Sequence, residues 1–375
     1  MRILYGLFCL MFLVFFHELG HFIAAKIFGV QVEAFSIGFG PRLLHKKLGD
    51  TDYRLSLVPL GGYCAMKGEK EFSESLKAGL DHIEASSDSI YGVHPLKRVL
   101  IAFAGPFSNM VFSLVSFFVI ATLGYSYYSY STKIILSDEL YPETHSAARD
   151  AGILSGDRIV SIDGKKTFSF SDILLEVSSR PDEEVDVIVE RGGEEITFRV
   201  RTDFDKSTGT GKIGVAADQN TLEKFEESGK PFFSAMKKAF VGMNKGFYLI
   251  VKGIFSLFKG VDISNSVSGP YRVVDMLGSV VTESVPDGFH AALVNVLNFM
   301  AYISLSLCFM NLLPVPILDG GLILFALIET VSRKKLSPKL LYYIQFVGLF
   351  FIVLVFLLGI TGDVRYFLDN LKGLQ

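Results

Sequence analysis

The sequence predicts a polytopic α-helical membrane protein with about four transmembrane helices, a membrane-associated β-hairpin and one soluble α+β domain. Half of the 375 residues are hydrophobic and the mean hydropathy is +0.41, values that are typical of polytopic membrane proteins. Several apolar segments are long enough to span a bilayer. Between two of them the chain turns polar and alternates in strand fashion, which indicates a soluble domain.

The first predicted span, within residues 1–30, contains the sequence His17-Glu18-Leu19-Gly20-His21, an H-E-x-x-H motif in an otherwise apolar run. On a helix, His17 and His21 lie one turn apart on the same face, so the two imidazoles can hold one Zn²⁺ and Glu18 can act as a general base. Ionisable residues in a span are costly and usually face a cavity or a partner, which disfavours a chance match. We read this span as retained, because its apolar run is too long for a signal peptide.

Residues 31–95 are predicted to form a cytoplasmic, membrane-reentrant β region followed by a polar loop. Val32 to Phe39 is broken by Gly38 and Gly40-Pro41, and Asp52 to Val58 alternates in strand fashion until Pro59-Leu60-Gly61-Gly62. A hairpin so close to the metal helix could be a small sheet that dips towards the membrane. An ordinary surface hairpin fits the pattern equally well.

The second predicted span, residues 96–124, carries Ala104-Gly105-Pro106 and Asn109. Glycine and proline are tolerated in a span where neighbouring groups satisfy the backbone. An asparagine in hydrocarbon needs a hydrogen-bonding partner. We therefore expect Asn109 to hydrogen-bond within the helix bundle rather than to take part in catalysis.

Residues 125–205 are predicted to form the soluble domain. The pattern indicates a short helix from Ser146 to Ile153, a strand within the turn-flanked run Gly156 to Gly164, a second helix from Ser171 to Ser179, and a hairpin around Arg191-Gly192-Gly193. The run A-G-hydrophobic-x-x-G-D-R-I-V-x-I-D-G resembles a PDZ domain of the circularly permuted bacterial kind, present in one copy. The resemblance implies a module that could bind a peptide.

Residues 206–290 are predicted to be extracytoplasmic and to include an amphipathic helix from Pro231 to Lys259. Lysines recur every seven residues in it, at Lys238, Lys245, Lys252 and Lys259. Lysines near the middle argue against a span, and their period favours a helix that lies in the membrane interface. A helix packed on the soluble domain is the alternative.

The third predicted span belongs to residues 291–331 and runs into Asn311-Leu312-Leu313-Pro314-Val315-Pro316-Ile317-Leu318-Asp319-Gly320. Two prolines break a helix, and a broken backbone beside other helices usually lines a polar cavity. Asp319 is then the third candidate ligand, which gives a His₂Asp site with its fourth position open. The alternative for Asp319 is a turn residue before Gly-Gly. Residues 340–361 form the fourth predicted span.

Charge and cysteine content exclude other classes of site and orient the chain. A net charge of −3 gives no reason to expect nucleic acid as a partner, and the three scattered cysteines argue against a disulfide framework or a cysteine zinc site. Lysine and arginine are concentrated between the first two spans and before the fourth. Both loops should therefore be cytoplasmic, with the PDZ-like domain and the termini extracytoplasmic.

Together the motifs resemble the site-2 protease family of intramembrane zinc metalloproteases, of the bacterial RseP type, over nearly the whole chain. The H-E-x-x-H motif and the Asn311 to Gly320 segment are its most specific part, and Gly38-Phe39-Gly40-Pro41, Ala104 to Asn109 and Ser268-Gly269-Pro270 add to it. The resemblance implies that His17, His21 and Asp319 bind one zinc ion and that Glu18 is catalytic.

The same resemblance implies two places of substrate contact. Asn311 matches a position associated with substrate handling near the active site. The strand that contains Tyr53, Arg54, Leu55, Ser56 and Leu57 matches a membrane-reentrant element that pairs with extended substrate. One departure matters, because RseP has two PDZ domains in tandem and this chain has one. Roles that are credited to the tandem therefore do not carry over.

The sequence thus predicts a zinc metalloendopeptidase of the bacterial inner membrane, with its active site towards the cytoplasm. Its expected substrates are single-span membrane proteins cut within the lipid bilayer, such as anti-sigma factors or signal-peptide remnants. A non-catalytic receptor that binds peptides through the PDZ-like domain is the alternative, and loss of Glu18 or a ligand would have favoured it. A metal transporter would need more intramembrane carboxylates and histidines than this chain has.

Overall fold

The computed structural model describes residues 1–257 and 268–372, which fall into two compact units. The first unit comprises Met1–Thr122, Pro231–Phe247 and the described residues from Ser268 onwards. The second comprises Leu123–Lys230 and the described residues from Tyr248 to Leu257. Each unit is described by itself below.

The helices are numbered in chain order. They are α1 (Arg2–Ile27), α2 (Glu69–Lys77), α3 (Pro95–Leu123), α4 (Ser137–Leu140), α5 (Ala147–Asp150), α6 (Phe170–Ser178), α7 (Phe232–Leu257), α8 (Pro270–Ser284), α9 (Phe289–Leu312), α10 (Asp319–Ser332) and α11 (Pro338–Lys372). Short 3₁₀ turns lie at Gln219–Thr221 and Val285–Asp287.

The strands are β1 (Val32–Leu48), β2 (Thr51–Met66), β3 (Gly124–Tyr130), β4 (Ile134–Leu136), β5 (Arg158–Ile162), β6 (Lys165–Lys166), β7 (Glu184–Arg191), β8 (Glu194–Arg201), β9 (Asp203–Phe204), β10 (Gly211–Lys212), β11 (Val215–Ala217) and β12 (Leu222–Ser228).

Among the described residues, four helices are long and apolar enough to cross a membrane: α1, α3, α9 and α11. They coincide with the four predicted spans and support a multi-pass membrane protein. Helix α11 extends beyond the predicted end of its span near residue 361. The prediction followed the apolar run, whereas the helix continues through polar residues such as Asp363 and Arg365. Helix α10 is a shorter apolar helix that follows the proline-broken segment directly.

The hairpin is longer than the sequence predicted, and the predicted breaks at Gly38, Gly40-Pro41 and Pro59 to Gly62 are wrong. Strands β1 and β2 continue through all of these positions. Gly38 and Gly40 adopt φ of +88° and +84°, so they bend β1 without ending it. Each of the two long strands bends, so that β1 and β2 together contribute four segments that pair side by side in one sheet.

The pairing places residues 52–55 inside this sheet. Residues 32–37 pair with 62–66 on one side and with 52–55 on the other, and residues 42–48 return to pair with 51–56. The two outer segments are therefore 42–48 and 62–66. The strand around Tyr53 to Leu57 was expected to pair with extended substrate, but residues 52–55 have no free edge for such pairing, because their backbone already has a neighbour on each side.

Helix α7 occupies most of the predicted amphipathic helix, and Phe258 and Lys259 of that prediction lie outside the described residues. Its residues 232–247 pack on two of the apolar helices of the first unit. Phe232 contacts Phe118 of α3 with ring centroids 5.3 Å apart, and Phe247 contacts Phe309 of α9 at 5.7 Å. Ala235 and Ala239 are fully buried on its inner face.

The second unit contains the short elements that the sequence predicted for residues 146–200. A four-stranded sheet has the order β6-β5-β7-β8, with β7 and β8 as an antiparallel hairpin closed by Gly192-Gly193. Helices α5 and α6 begin with the capping residues Ser146 and Ser169. Their apolar faces and the sheet share one core that includes Ile159, Ile173 and Val187.

Candidate metal centre

Three side chains of the first unit converge on one point. His17 Nε2 and His21 Nε2 lie 3.2 Å apart, and each is 3.3 Å from one oxygen of the Asp319 carboxylate. The candidate ligand atoms all lie within 4.8 Å of one another, and the group is largely buried. No other cluster of this kind occurs among residues 1–257 and 268–372.

The donor set fits a zinc ion. The Asp319 Oδ2 atom is buried and has no hydrogen-bond partner among the described residues. Two imidazole nitrogens and a carboxylate that face one another leave several lone pairs close together, an arrangement that a cation satisfies. Two histidines and one carboxylate with an open fourth position form the ligand set of catalytic zinc sites.

Helix α3 holds the two imidazoles from behind. His21 Nδ1–H donates to the Ile101 carbonyl over 2.9 Å, which leaves the lone pair of Nε2 directed at Asp319. The Asn109 carboxamide lies 3.2 Å from His17 Nδ1 and is completely buried. The expectation that Asn109 hydrogen-bonds within the bundle is confirmed, and its partner is a candidate ligand.

Close approach of α1 and α3 explains the Ala104-Gly105-Pro106 motif. A Cβ atom at Gly105 would lie 2.2 Å from His21 Nε2, and one at Gly20 would lie 2.2 Å from the Ala104 carbonyl oxygen. Ser108 Oγ also donates to the Phe16 carbonyl over 2.6 Å. Any larger residue at these two glycines would push the histidines away from α3.

Asp319 is placed by the broken segment between α9 and α10. Helix α9 ends at Leu312, and Asp319 is the first residue of α10. Between them Ile317 has φ of +85°, which is a strained conformation for a β-branched residue. A Cβ at Gly320 would lie 2.3 Å from the carbonyl oxygens of Leu312 and Leu313, so this turn is tightly packed.

Glu18 lies beside the metal cluster without belonging to it. Its carboxylate lies near the backbone of Cys64 in β2, and both residues line the same cavity. Burial raises the pKa of the Cys64 thiol to about 12, with the negative charge of Glu18 adding to the effect. Cys64 therefore stays a neutral thiol and is not a candidate nucleophile.

The cluster opens into a cavity of about 440 Å³. Besides the metal cluster and Glu18, its walls include Asn311 and the edge residues Tyr63, Cys64 and Met66. Tyr53, Arg54, Leu55, Ser56 and Leu57 are not among the lining residues. Within the sheet, Arg54 instead binds Asp52 and the Tyr63 hydroxyl, and Ser56 Oγ lies 3.0 Å from Ser36 Oγ.

Known proteins resemble this chain over most of its length. The model of peptidase family M50 matches residues 5–355. Three similar proteins carry the name "Putative zinc metalloprotease". That of Treponema pallidum is 32% identical over 97% of this chain and 99% of its own length. That of Borreliella burgdorferi is 30% identical, over 98% and 99%. That of Helicobacter pylori strain J99 is 33% identical, over 95% and 97%.

Proposed function

The chain belongs to peptidase family M50 and is a zinc metalloprotease, and on that premise we propose that it cleaves the transmembrane segments of single-span membrane proteins at the His17, His21 and Asp319 centre. The observation that carries the proposal is the convergence of these three side chains beside Glu18, in a cavity between helices long enough to span a bilayer.

Each residue has a distinct part in peptide hydrolysis. Zinc, when bound by His17, His21 and Asp319, lowers the pKa of a water molecule and polarises the scissile carbonyl. Glu18 stands next to that point, takes the proton of the attacking water and returns it to the leaving nitrogen. Asn311 lines the same cavity, and its carboxamide can hydrogen-bond to the substrate backbone.

A transmembrane substrate must unwind before its peptide bonds are accessible, because a helix satisfies them internally. An extended chain is stabilised when it adds to the edge of a sheet. In this protein the edge that lines the cavity is the 62–66 segment of β2. The substrate strand is therefore assigned to this edge rather than to the interior residues Tyr53 to Leu55.

The other predicted features remain part of the proposal. The second unit is a PDZ-like domain outside the cytoplasm, which binds a peptide or restricts access to the site. The protein lies in a bacterial inner membrane with its active site towards the cytoplasm, and its substrates are proteins already shortened outside, such as anti-sigma factors or signal-peptide remnants. The lysine-rich and arginine-rich loops next to the spans support this orientation.

Substitution of single residues in the purified full-length protein tests the proposal. Glu18→Gln should keep its zinc and lose cleavage by about 10²- to 10⁴-fold, because the general base is not a ligand. His17→Ala and Asp319→Ala should lose both. Glu33→Gln, at an exposed carboxylate outside the cavity lining, is the control. Membrane proteomics of cells with Glu18→Gln should show uncut substrates.

Two results would contradict this function. Full zinc content in Asp319→Ala would remove that carboxylate from the ligand set. Wild-type cleavage by Glu18→Gln would remove the general base, and the proposed mechanism with it.

A further inference from the structure

We propose that the buried ion pair between Arg98 and Glu329 is a positioning pair, which holds Asp319 in place against the two histidines. The inference rests on the proposed metal centre and adds two residues that do not touch the metal. Arg98 Nη2 donates to Glu329 Oε2, and the side chains are only 14% and 6% exposed. Both residues line the cavity that contains the metal cluster.

The two helices that this pair joins carry the two halves of the metal cluster. Arg98 lies in the first turn of helix α3, which holds the imidazoles through the Ile101 carbonyl and Asn109. Helix α10 begins with Asp319 and has Glu329 near its end. Among the described residues, this pair is the hydrogen bond that runs directly from α3 to α10.

Asp319 needs such a tether because the turn before it stores strain. Ile317 is held at φ of +85°, and a strained residue persists only where its surroundings over-determine it. Gly320 and the segment before it fix the start of α10, but they belong to the same strained turn. A second attachment, at the far end of α10, prevents the helix from relaxing and moving Asp319.

Glu329 is well placed to be that attachment. Its second oxygen, Oε1, accepts a hydrogen bond from the Leu336 N–H over 3.0 Å. Leu336 lies in the link to α11, shortly after Arg333, which adopts φ of +54°. One carboxylate therefore joins α3, α10 and the link that precedes α11. A buried charge with partners on two other segments resists displacement, because any shift would leave it unpaired.

Zinc affinity tests the inference, measured on the full-length protein in detergent by competition with a chelator. Arg98→Met should weaken zinc binding by about 10- to 100-fold, as is typical when a residue that orients a metal ligand is replaced. Arg98→Lys keeps the charge and should recover most of the affinity. Lys97→Met removes a neighbouring, exposed charge and should bind zinc as the wild type does.

A purely structural pair would give a different result. It would lower the unfolding temperature in excess chelator and leave the zinc affinity of the folded protein unchanged, and that outcome would overturn the proposal. Glu329→Gln keeps the side-chain size and leaves no buried anion, so it serves if Arg98→Met does not fold. Wild-type zinc affinity in Glu329→Gln would likewise overturn it.

The exchanged pair, Arg98→Glu with Glu329→Arg, provides the rescue. It should bind zinc more tightly than either of its single substitutions, because the link between the helices is restored. His17→Ala is measured in parallel. Unchanged zinc binding in His17→Ala would refute the proposed metal centre itself, whereas loss there with wild-type affinity in Arg98→Met would refute only the positioning pair.

Discussion

At the scale of single residues, the Asn109 side chain decides how His17 presents its lone pair. As placed, the Asn109 amide nitrogen faces His17 Nδ1, and its oxygen is buried without a partner among the described residues. Rotation of the carboxamide by half a turn exchanges the two atoms. The oxygen then accepts from His17 Nδ1–H, which satisfies both groups and leaves Nε2 free for the metal.

Asn109→Leu should therefore weaken zinc binding by about 10- to 100-fold. Asn109→Asp keeps an acceptor for Nδ1–H and should retain most of the affinity, since a carboxylate behind a metal-bound histidine raises its basicity. Chelator competition measures both. The backbone bond from Ser304 Oγ to the Asn109 carbonyl is present in either variant, which helps to preserve the packing. Wild-type affinity in Asn109→Leu would show that this side chain only fills space.

The metal cluster was predictable residue by residue, but its supports were not. The four-residue spacing of His17 and His21 defines one helical face, and the proline-broken segment pointed to Asp319. Helical geometry alone does not reveal the partner of Asn109 or the pairing of Arg98 with Glu329. Those contacts depend on how separate helices pack, and the ion pair joins residues 231 positions apart.

At the scale of elements, the hairpin shows where a sequence pattern misleads. Gly38, Gly40 and the residues after Pro59 look like strand ends, because glycine and proline usually interrupt a ladder. Here Gly38 and Gly40 adopt positive φ, so β1 bends without ending. Its residues 32–37 and 42–48 become two separate segments of the sheet, on opposite sides of residues 52–55. The alternation of residues 52–58 was read correctly as a strand, but local alternation does not reveal how many neighbours a strand has.

Proline substitutions distinguish the edge of this sheet from its interior. The Lys67 N–H donates to the Gln31 carbonyl within the ladder, so the N–H of Met66, one residue earlier, faces the open side of the strand. Met66→Pro removes one N–H from the edge and should lower kcat/KM by about 2- to 10-fold, the equivalent of one hydrogen bond, with zinc content unchanged. Met66→Leu should cleave normally.

Leu55→Pro is the interior counterpart. Residue 55 pairs with both Ile37 and Leu44, so proline there breaks the ladder inside the sheet. We expect lower thermal stability and reduced zinc content together, not a selective loss of cleavage. Cleavage at the wild-type rate by Met66→Pro, with zinc retained, would show that the 62–66 edge does not hold substrate.

At the scale of the whole molecule, the topology depends on whether α7 crosses the bilayer. Four spans return the chain to the side on which it began, and a crossing by α7 would place the N- and C-terminal ends on opposite sides. Phe232 and Gly242 are ten residues apart, about 15 Å along the helix, yet they lie against the adjacent residues Phe118 and Phe117. Helix α7 therefore runs across α3 rather than alongside it, which favours an interfacial position.

Cysteine labelling in intact cells tests this topology, on a background in which Cys9, Cys64 and Cys308 are replaced. Lys245→Cys and Lys252→Cys should react with a membrane-impermeant maleimide from outside, as should Lys206→Cys in the second unit. Lys77→Cys, at the end of α2, should react only after the membrane is permeabilised. If Lys252→Cys behaves like Lys77→Cys while Lys206→Cys reacts from outside, α7 crosses the bilayer and the proposed orientation of the last two spans is reversed.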